Sequence, residues 1–317
     1  MFLIEFRLKG VCILNNYQEV VQKIMRNNVP AQAGSLILLV TDESTAYLAE
    51  NVYEALLKEE WKADLISMAD RSKSGEEPPA YIAEKMLQYD IVFCLTKHSL
   101  THTLARRNAN EKGISVITMP GINEEMFLYG AINADYRRIE EETVEMAAKI
   151  TAAQAVEIYT GENHRLVIPI KERTGIASTG VFREKGASGN LPSGEAYVAP
   201  IEGEAEGTIA INGSIAGIGL LKEAIILTIK EGRLMEATTS VGEKLLQLLG
   251  DGDGRLLCEL GIGTNYAARI TGNILEDEKA YDTIHIAFGS NHTFGGTIQT
   301  NVHIDCVTRK PRIKWIS

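Results

Sequence analysis

Residues 284–307 read IHIAFGSNHTFGGTIQTNVHIDCV, and the reading of this stretch sets the architecture of the second half of the chain. In a strand, residues two apart share a face and the residue between them points the other way. His303 and Asp305 therefore share a face, while Val302, Ile304 and Cys306 take the other, which is the alternation of a half-buried strand with one polar side. The segment TIHIAFG reads as a second strand ending at Gly289, and SNHTFGG as the glycine-bounded connection. His285 then lies on a neighbouring strand, where close pairing brings it beside His303 and Asp305. Two imidazoles and a carboxylate converging in one place suit a divalent metal such as Zn, Mn, Co or Fe(II). The competing reading is ordinary: a single buried histidine is more often a hydrogen-bonded core residue than a ligand, and His-x-Asp occurs by chance.

At 317 residues, with 45% hydrophobic and 23% charged residues, the chain has globular composition and room for two cores. A formal net charge of -10 and a pI near 5.3 argue against a nucleic-acid or anionic-membrane surface, which needs a clustered basic excess. ARR at 105–107 and TRKPRIK at 308–314 are too short to form basic patches. The opening MFLIEFRLKG has glutamate and arginine inside its apolar run and no small-residue cleavage site, so it does not read as a secretory signal. No run approaches the length of a membrane span. Cys12, Cys94, Cys258 and Cys306 are far apart, and three of them sit in apolar segments where a thiol behaves as a small hydrophobe. A reduced, cytoplasmic protein is expected.

The first half alternates. After a helix from Asn16 to Arg26 come the apolar runs SLILLV (35–40), KADLISM (62–68), DIVFCL (90–95) and ISVITM (114–119). Helical stretches near Ser44 to Leu57, Pro79 to Leu87 and Ser99 to Lys112 separate them. This order predicts a parallel sheet with helices on both faces, an α/β domain. None of the four runs is followed by Gly-x-Gly-x-x-Gly or a Gly-Lys-Ser/Thr box, which excludes dinucleotide binding by the usual device. A long helix is expected over RIEEETVEMAAKITAAQAVEIYTG, ending near Gly161 and bridging the two domains.

From about His164 the pattern changes to short extended runs bounded by glycine: HRLVIPI, GEAYVAP, GTIAINGSI, EAIILTI, the turn KEGR, then LMEATTSV. One helix, GEKLLQLLG, is closed by its glycine. RLLCELGIG, TIHIAFG and TIQTNVHIDCV follow. The expected organisation is an α/β domain over residues 1–157 and a β-rich antiparallel, metal-binding catalytic domain over 158–317, an α/β plus α+β chain.

Two further carboxylates stand out. Glu195 follows a Pro-Ser-Gly turn and opens a strand, where its side chain is displayed at a sheet end. Glu259 sits in RLLCELGIG among leucines, cysteine and isoleucine, and a glutamate there is costly to bury unless paired or bound to a cation. Taken singly, Glu195 also reads as a solvated turn carboxylate and Glu259 as the polar face of a one-sided strand. LEDEKAYD (275–282) reads as a hydrated surface turn, which leaves Glu276, Asp277 and Glu278 outside the site.

The segments NLPSGEAYVAP, LLCELGIGTN, EKAYDTIHIAFG and VHIDCV, in that order and spacing, resemble the metal-binding half of the aminopeptidase T and aminopeptidase S family of bacterial metallopeptidases over about residues 160 to 310. The resemblance implies a dinuclear site for Zn, Co or Mn whose ligands fall on Glu195, Glu259, His285, His303 and Asp305. It also implies hydrolysis of a small peptide or peptide-like amide by metal-activated water, with Glu195 as a general base or amine anchor, and a homodimer. The family's pattern His-Ile-Ala-x-Gly-x-x-Tyr places a tyrosine near the reaction centre, and here that position is His292. A histidine can donate a hydrogen bond to an oxyanion as tyrosine does, but it also titrates near neutrality and binds metal.

That departure makes room for a second function. The ring-cleaving dihydroxypyridine dioxygenases resemble the same scaffold and use one Fe(II) held by two histidines and an aspartate, which here would be His285, His303 and Asp305, acting on a small aromatic. In TKHSLTHTLARR, His98 and His102 are four apart, on one face of a helix that has begun by His98, at the carboxyl end of a sheet where α/β domains bind substrates. The competing reading there is a helix start capped by Ser99 or Thr101 with two partly exposed histidines. A third possibility, a scaffold that has lost activity, sits badly with a ligand set whose carboxylates would repel each other.

Overall fold

The computed structural model describes residues 17–317, so MFLIEFRLKG, Cys12 and Asn16 lie outside the described residues. The first region runs α1 (Tyr17–Asn27), β1 (Leu36–Asp42), α2 (Ala46–Lys58), β2 (Lys62–Met68), α3 (Ala80–Met86), β3 (Ile91–Leu95), α4 (Leu104–Glu111), β4 (Ser115–Thr118) and α5 (Glu124–Tyr129). α6 (Tyr136–Ala152) leads into β5 (Ala155–Thr160), β6 (His164–Pro169), β7 (Ile176–Ser178), β8 (Ser188–Asn190), β9 (Glu195–Val198), β10 (Glu206–Ile211), β11 (Ser214–Ile215) and β12 (Gly219–Leu220). The chain continues through β13 (Ile225–Lys230), β14 (Arg233–Ala237), α7 (Thr239–Leu249), β15 (Leu257–Gly263), α8 (Ile274–Asp277), β16 (Thr283–Gly289), β17 (His303–Arg309) and β18 (Arg312–Ile316).

The expected α/β region is present as a parallel sheet in the order β2-β1-β3-β4-β8. Its inner strands read as unbroken apolar runs because both faces are covered. Ile37, Leu39, Ile91, Phe93 and Ile117 pack on one side against α1, α2 and α5, and Leu38, Val40, Val92, Cys94 and Val116 on the other. Two antiparallel sheets form the rest, β14-β13-β10-β6-β5-β18 and β12-β11-β17-β16-β15-β9-β7, and their inner faces share one core. Ile158, Leu166, Ile209 and Leu227 enter it from one sheet and Val198, Leu260, Ile284, Ile286, Ile304 and Cys306 from the other.

Three expectations need correction. The long helix stops at Ala152, because the apolar spacing changes from three and four in α6 to two at Val156 and Ile158, and Ala155–Thr160 pairs with β6 and β18. α4 begins at Leu104, with Thr103 accepting the Arg106 amide as its cap, so Ser99–Thr103 is loop. A boundary at 157/158 falls inside β5, and residues beyond it return to the first region. Strand β8 adds to the parallel sheet, Phe182 and Leu191 enter its core, and the Phe182 amide donates to the Asn28 carbonyl. Cys94, Cys258 and Cys306 are buried free thiols. No helix among the described residues is long and apolar enough to cross a membrane.

Candidate metal centre

The seven-stranded sheet turns one face to the core and the other to the centre. Cross-strand partners share a face, and Gly261 pairs with both Tyr197 and His285, Gly263 with Glu195, and Ala287 with Asp305. Glu259 shares this face by spacing, two residues before Gly261 in an unbroken ladder from Glu259 to Ile262. The register slips only ahead of it: Leu257 pairs with Phe288 and Glu259 with Ala287, so β15 spends one extra residue on one step of β16. The bulge returns Leu257 to the core and leaves Cys258 packed with Ala287, next to Glu259. Small residues clear the floor. A Cβ on Gly261 would stand 2.1 Å from the His285 ring, so only glycine lets that imidazole lie across β15.

The residues expected as ligands converge. His285 Nε2 lies 3.2 Å from Glu259 Oε1 and 3.6 Å from Glu195 Oε2. His303 Nε2 lies 3.4 Å from Glu259 Oε2 and 3.3 Å from Asp305 Oδ1. Glu259 thus stands between the two imidazoles. The donor atoms fall into two triplets, Glu195 with Glu278 and His285, and Glu259 with His303 and Asp305. His303 Nδ1 donates to the Ser290 carbonyl at 2.9 Å, which leaves Nε2 facing the carboxylates, the usual way a ligating imidazole is oriented.

Glu278 corrects the reading of LEDEKAYD as a hydrated turn. Glu276, Asp277 and Lys279 are fully buried, and Glu278 has only 13% of its side chain open. Asp277 accepts from the amides of Thr271 at 2.6 Å and Gly272 at 2.9 Å and from the Ser214 hydroxyl at 2.5 Å. Glu276 accepts the Arg269 amide at 3.0 Å. Lys279 Nζ lies 2.8 Å from Glu195 Oε1 and contacts the Glu278 carboxylate. Local sequence shows three acids in a row; it does not show that their partners lie on β9, on β11 and in the loop after β15. Gly263 admits this segment, since a Cβ there would meet the Ala280 carbonyl at 2.0 Å.

The electrostatics follow from burial among carboxylates. Burial alone lowers the His285 imidazole, and Glu259 and Glu195 reverse this and lift it to about 9. For His303 burial again opposes, and Cys258 and Asp305 beside it hold it well above the ordinary value. Burial raises Asp305, and His303 outweighs that and brings it to about 2. Burial pushes Glu278 up to about 8 against the pull of Lys279, while Lys279 is kept protonated by Glu195 and Glu278 in spite of its burial.

The residues fit a divalent ion. The donors are carboxylate oxygens and imidazole nitrogens, the set that Zn, Mn, Co and Fe(II) accept, and Glu195 Oε2 is buried with no hydrogen-bond partner. His292 is not brought among these donors. It is exposed, on the connection between β16 and β17, with Nδ1 2.9 Å from the Ser290 hydroxyl. His102 sits exposed on the loop before α4 and is held below the ordinary imidazole value by desolvation and then by the charges of His303, Arg106 and His292; no hydrogen bond or ion pair among the described residues joins it to the centre. Nothing among the described residues ties His98 to the centre; its carbonyl accepts from Thr96. Two aromatics line the same face: Tyr197 packs edge-on against Phe294 at 5.5 Å between centroids, and Phe294 against His303 at 6.1 Å. Period-two spacing from Glu195 could have found Tyr197; for Phe294, Glu278 and Lys279 no local signal exists.

This fold and donor set define a metallopeptidase-type scaffold. Residues 131–305, more than half of the chain, match the model of the thermophilic metalloprotease (M29) family, and the chain belongs to that family. Among solved structures it is similar to 2,5-dihydroxypyridine dioxygenase from Pseudomonas putida KT2440, at 15% identity and a TM-score of 0.77 over 94% of this chain and 93% of that one. It is also similar to AmpT from Thermus thermophilus, at 17% identity and a TM-score of 0.67 over 95% of each chain. Both likenesses concern the fold. No curated protein matches the chain.

Proposed function

We propose that the chain is a metal-dependent, aminopeptidase-like hydrolase of small peptides or peptide-like amides. The observation that carries this is the set of four carboxylates and two imidazoles gathered on one sheet face. Glu259, His303 and Asp305, with His285 beside them, would hold a divalent ion, and Glu195 and Glu278 complete the acidic wall. When bound, such an ion polarises a scissile carbonyl and lowers the pKa of a water. In the hydrolysis, the oxygen of water would join the carbonyl carbon as the C–N bond breaks, and the proton that Glu195 takes from the water would pass to the departing amine. Glu195, with one oxygen held by Lys279 and the other without a partner, is placed to accept from the substrate's free ammonium or from the attacking water. Tyr197 and Phe294 offer an apolar wall for the first side chain. His102 and His292 would serve as hydrogen-bond donors to the substrate.

The family match and the donor chemistry support this reading. It is tested by hydrolysis of aminoacyl-anilides by protein loaded with Zn, Co or Mn; no release above the ion alone for any of these would end it. One observation favours a second reading, a ring-opening Fe(II) dioxygenase of a small aromatic. His285, His303 and Asp305 come from adjacent strands beside the aromatic pair Tyr197 and Phe294, suited to a flat ring. Oxygen consumption with a dihydroxypyridine after anaerobic Fe(II) loading separates the two.

A further inference from the structure

We infer that Lys279 fills one half of the donor set with its own ammonium, so that the chain holds a single divalent ion tightly, at Glu259, His303 and Asp305. The inference rests on the metal-dependent reading above but not on which reaction the centre performs. The two triplets differ in one respect. Glu195 and Glu278 already share a cation that belongs to the chain: Lys279 Nζ is 2.8 Å from Glu195 Oε1 and touches Glu278, and the lysine is fully buried. Glu259 and Asp305 have no lysine or arginine within ion-pair distance among the described residues; their ion-pair partners are His285 and His303, and the Lys279 charge reaches Asp305 only from farther off.

The ammonium is built in. A surface lysine could swing away when an ion arrives, but this one has no water to swing into, and its backbone is pinned. The Asn265 amide donates to the Lys279 carbonyl at 2.9 Å, and the Tyr281 amide donates back to the Asn265 carbonyl at 3.0 Å. Gly263 carries the segment in close contact, and Asp277, three times hydrogen-bonded, anchors the turn before it. A divalent ion on Glu195 and Glu278 would stand directly against a positive charge that cannot leave, using carboxylates whose charge is already met. On the other side, two buried carboxylates are ion-paired only with imidazoles, which can give up a proton to an arriving cation and ligate it, as a lysine ammonium does not. His285 lies between the sides, nearer to Glu259 than to Glu195, and is free to serve as a fourth donor to the single ion. Glu195 is then an oriented carboxylate facing the substrate.

The test counts ions with no substrate present: Zn titration calorimetry, with elemental analysis after desalting, on the wild-type chain and on Lys279→Met, Glu195→Gln and Asp305→Asn. The expected result is one retained ion per wild-type chain, two per Lys279→Met chain, one for Glu195→Gln and none for Asp305→Asn. Two tightly held ions in the wild type, or one in a Lys279→Met chain that still melts cooperatively, overturns the inference, as does loss of the ion in Glu195→Gln. Should Lys279→Met not fold, the wild-type count and the Glu195→Gln count still decide. A wild-type chain that retains no ion overturns the inference and the metal reading together, whereas failure to cleave anilides touches the hydrolase alone.

Discussion

The two halves of the centre are built from the same donors on the same sheet face, and they are neutralised differently. In the deep half Glu195, Glu278 and His285 are 9%, 13% and 1% exposed, and a lysine is folded in among them. In the shallow half His303 has 33% of its side chain open at the mouth, and the ion pairs of Glu259 and Asp305 are all with imidazoles. A buried carboxylate needs hydrogen-bond donors, as Asp277 has, or a positive partner. A partner supplied by the chain makes structure, and one that must come from solution makes a binding site.

The largest effect separating the halves is expected on activity. His303→Ala or Asp305→Ala should reduce anilide hydrolysis to that of the free ion; more than a tenth of wild-type turnover would remove the shallow half from the chemistry. Next comes stability. Lys279→Met leaves two buried carboxylates without their cation and should cost about 3–5 kcal/mol in urea unfolding in the presence of chelator, with part recovered on adding Zn. An unchanged midpoint in chelator would mean that the deep half does not depend on its lysine.

Smaller is the effect of Gly261→Ala, whose methyl collides with the His285 ring. It should weaken Zn affinity by about 10–100-fold, the usual cost of misorienting a ligand, while the far-ultraviolet circular dichroism stays that of the wild type. The smallest concerns a carboxylate outside the centre. Glu157 is lowered from 4.5 to about 2, first by its hydrogen bond to Arg165 and then by Tyr159. A group depressed in the folded state adds stability above its unfolded value and loses it as pH falls through the folded one. Glu157→Gln should therefore lower stability slightly at neutral pH, and its urea midpoints should converge on those of the wild type as pH falls from about 4.5 to about 2.

Much of this was legible from residue order. Strands buried on both faces announce themselves as apolar runs, and β1 to β4 follow them within a residue or two. Period-two alternation put His285, His303 and Asp305 on one face because β16 and β17 pair without interruption. Glu259 could be suspected from its apolar neighbours, and two-residue spacing sets it on the face of Gly261 and Gly263, but the bulge beside it depends on a pairing with β16 that its own segment does not encode. The same gap between local pattern and distant partner explains LEDEKAYD, whose acids are met by Thr271, Gly272, Ser214 and Lys279, and His98, whose helix starts two residues after His102. The strand β18 is a related case: RIKWI has Ile313 and Trp315 at alternate positions, but it follows the charged TRKP directly and is held as strand by its pairing with β5.

The return of residues 180–191 to the parallel sheet has a mechanical consequence. Lobes joined by a single linker can swing apart like a clam and shut on what they catch. Here the polypeptide passes between the regions after α6, again before Phe182 and again after Leu191, and β8 is laced into the far sheet by its ladder with β4. Three crossings tie the regions more tightly than a single linker would, so a wide clam-like opening is disfavoured and an entering molecule meets the two regions largely as they stand.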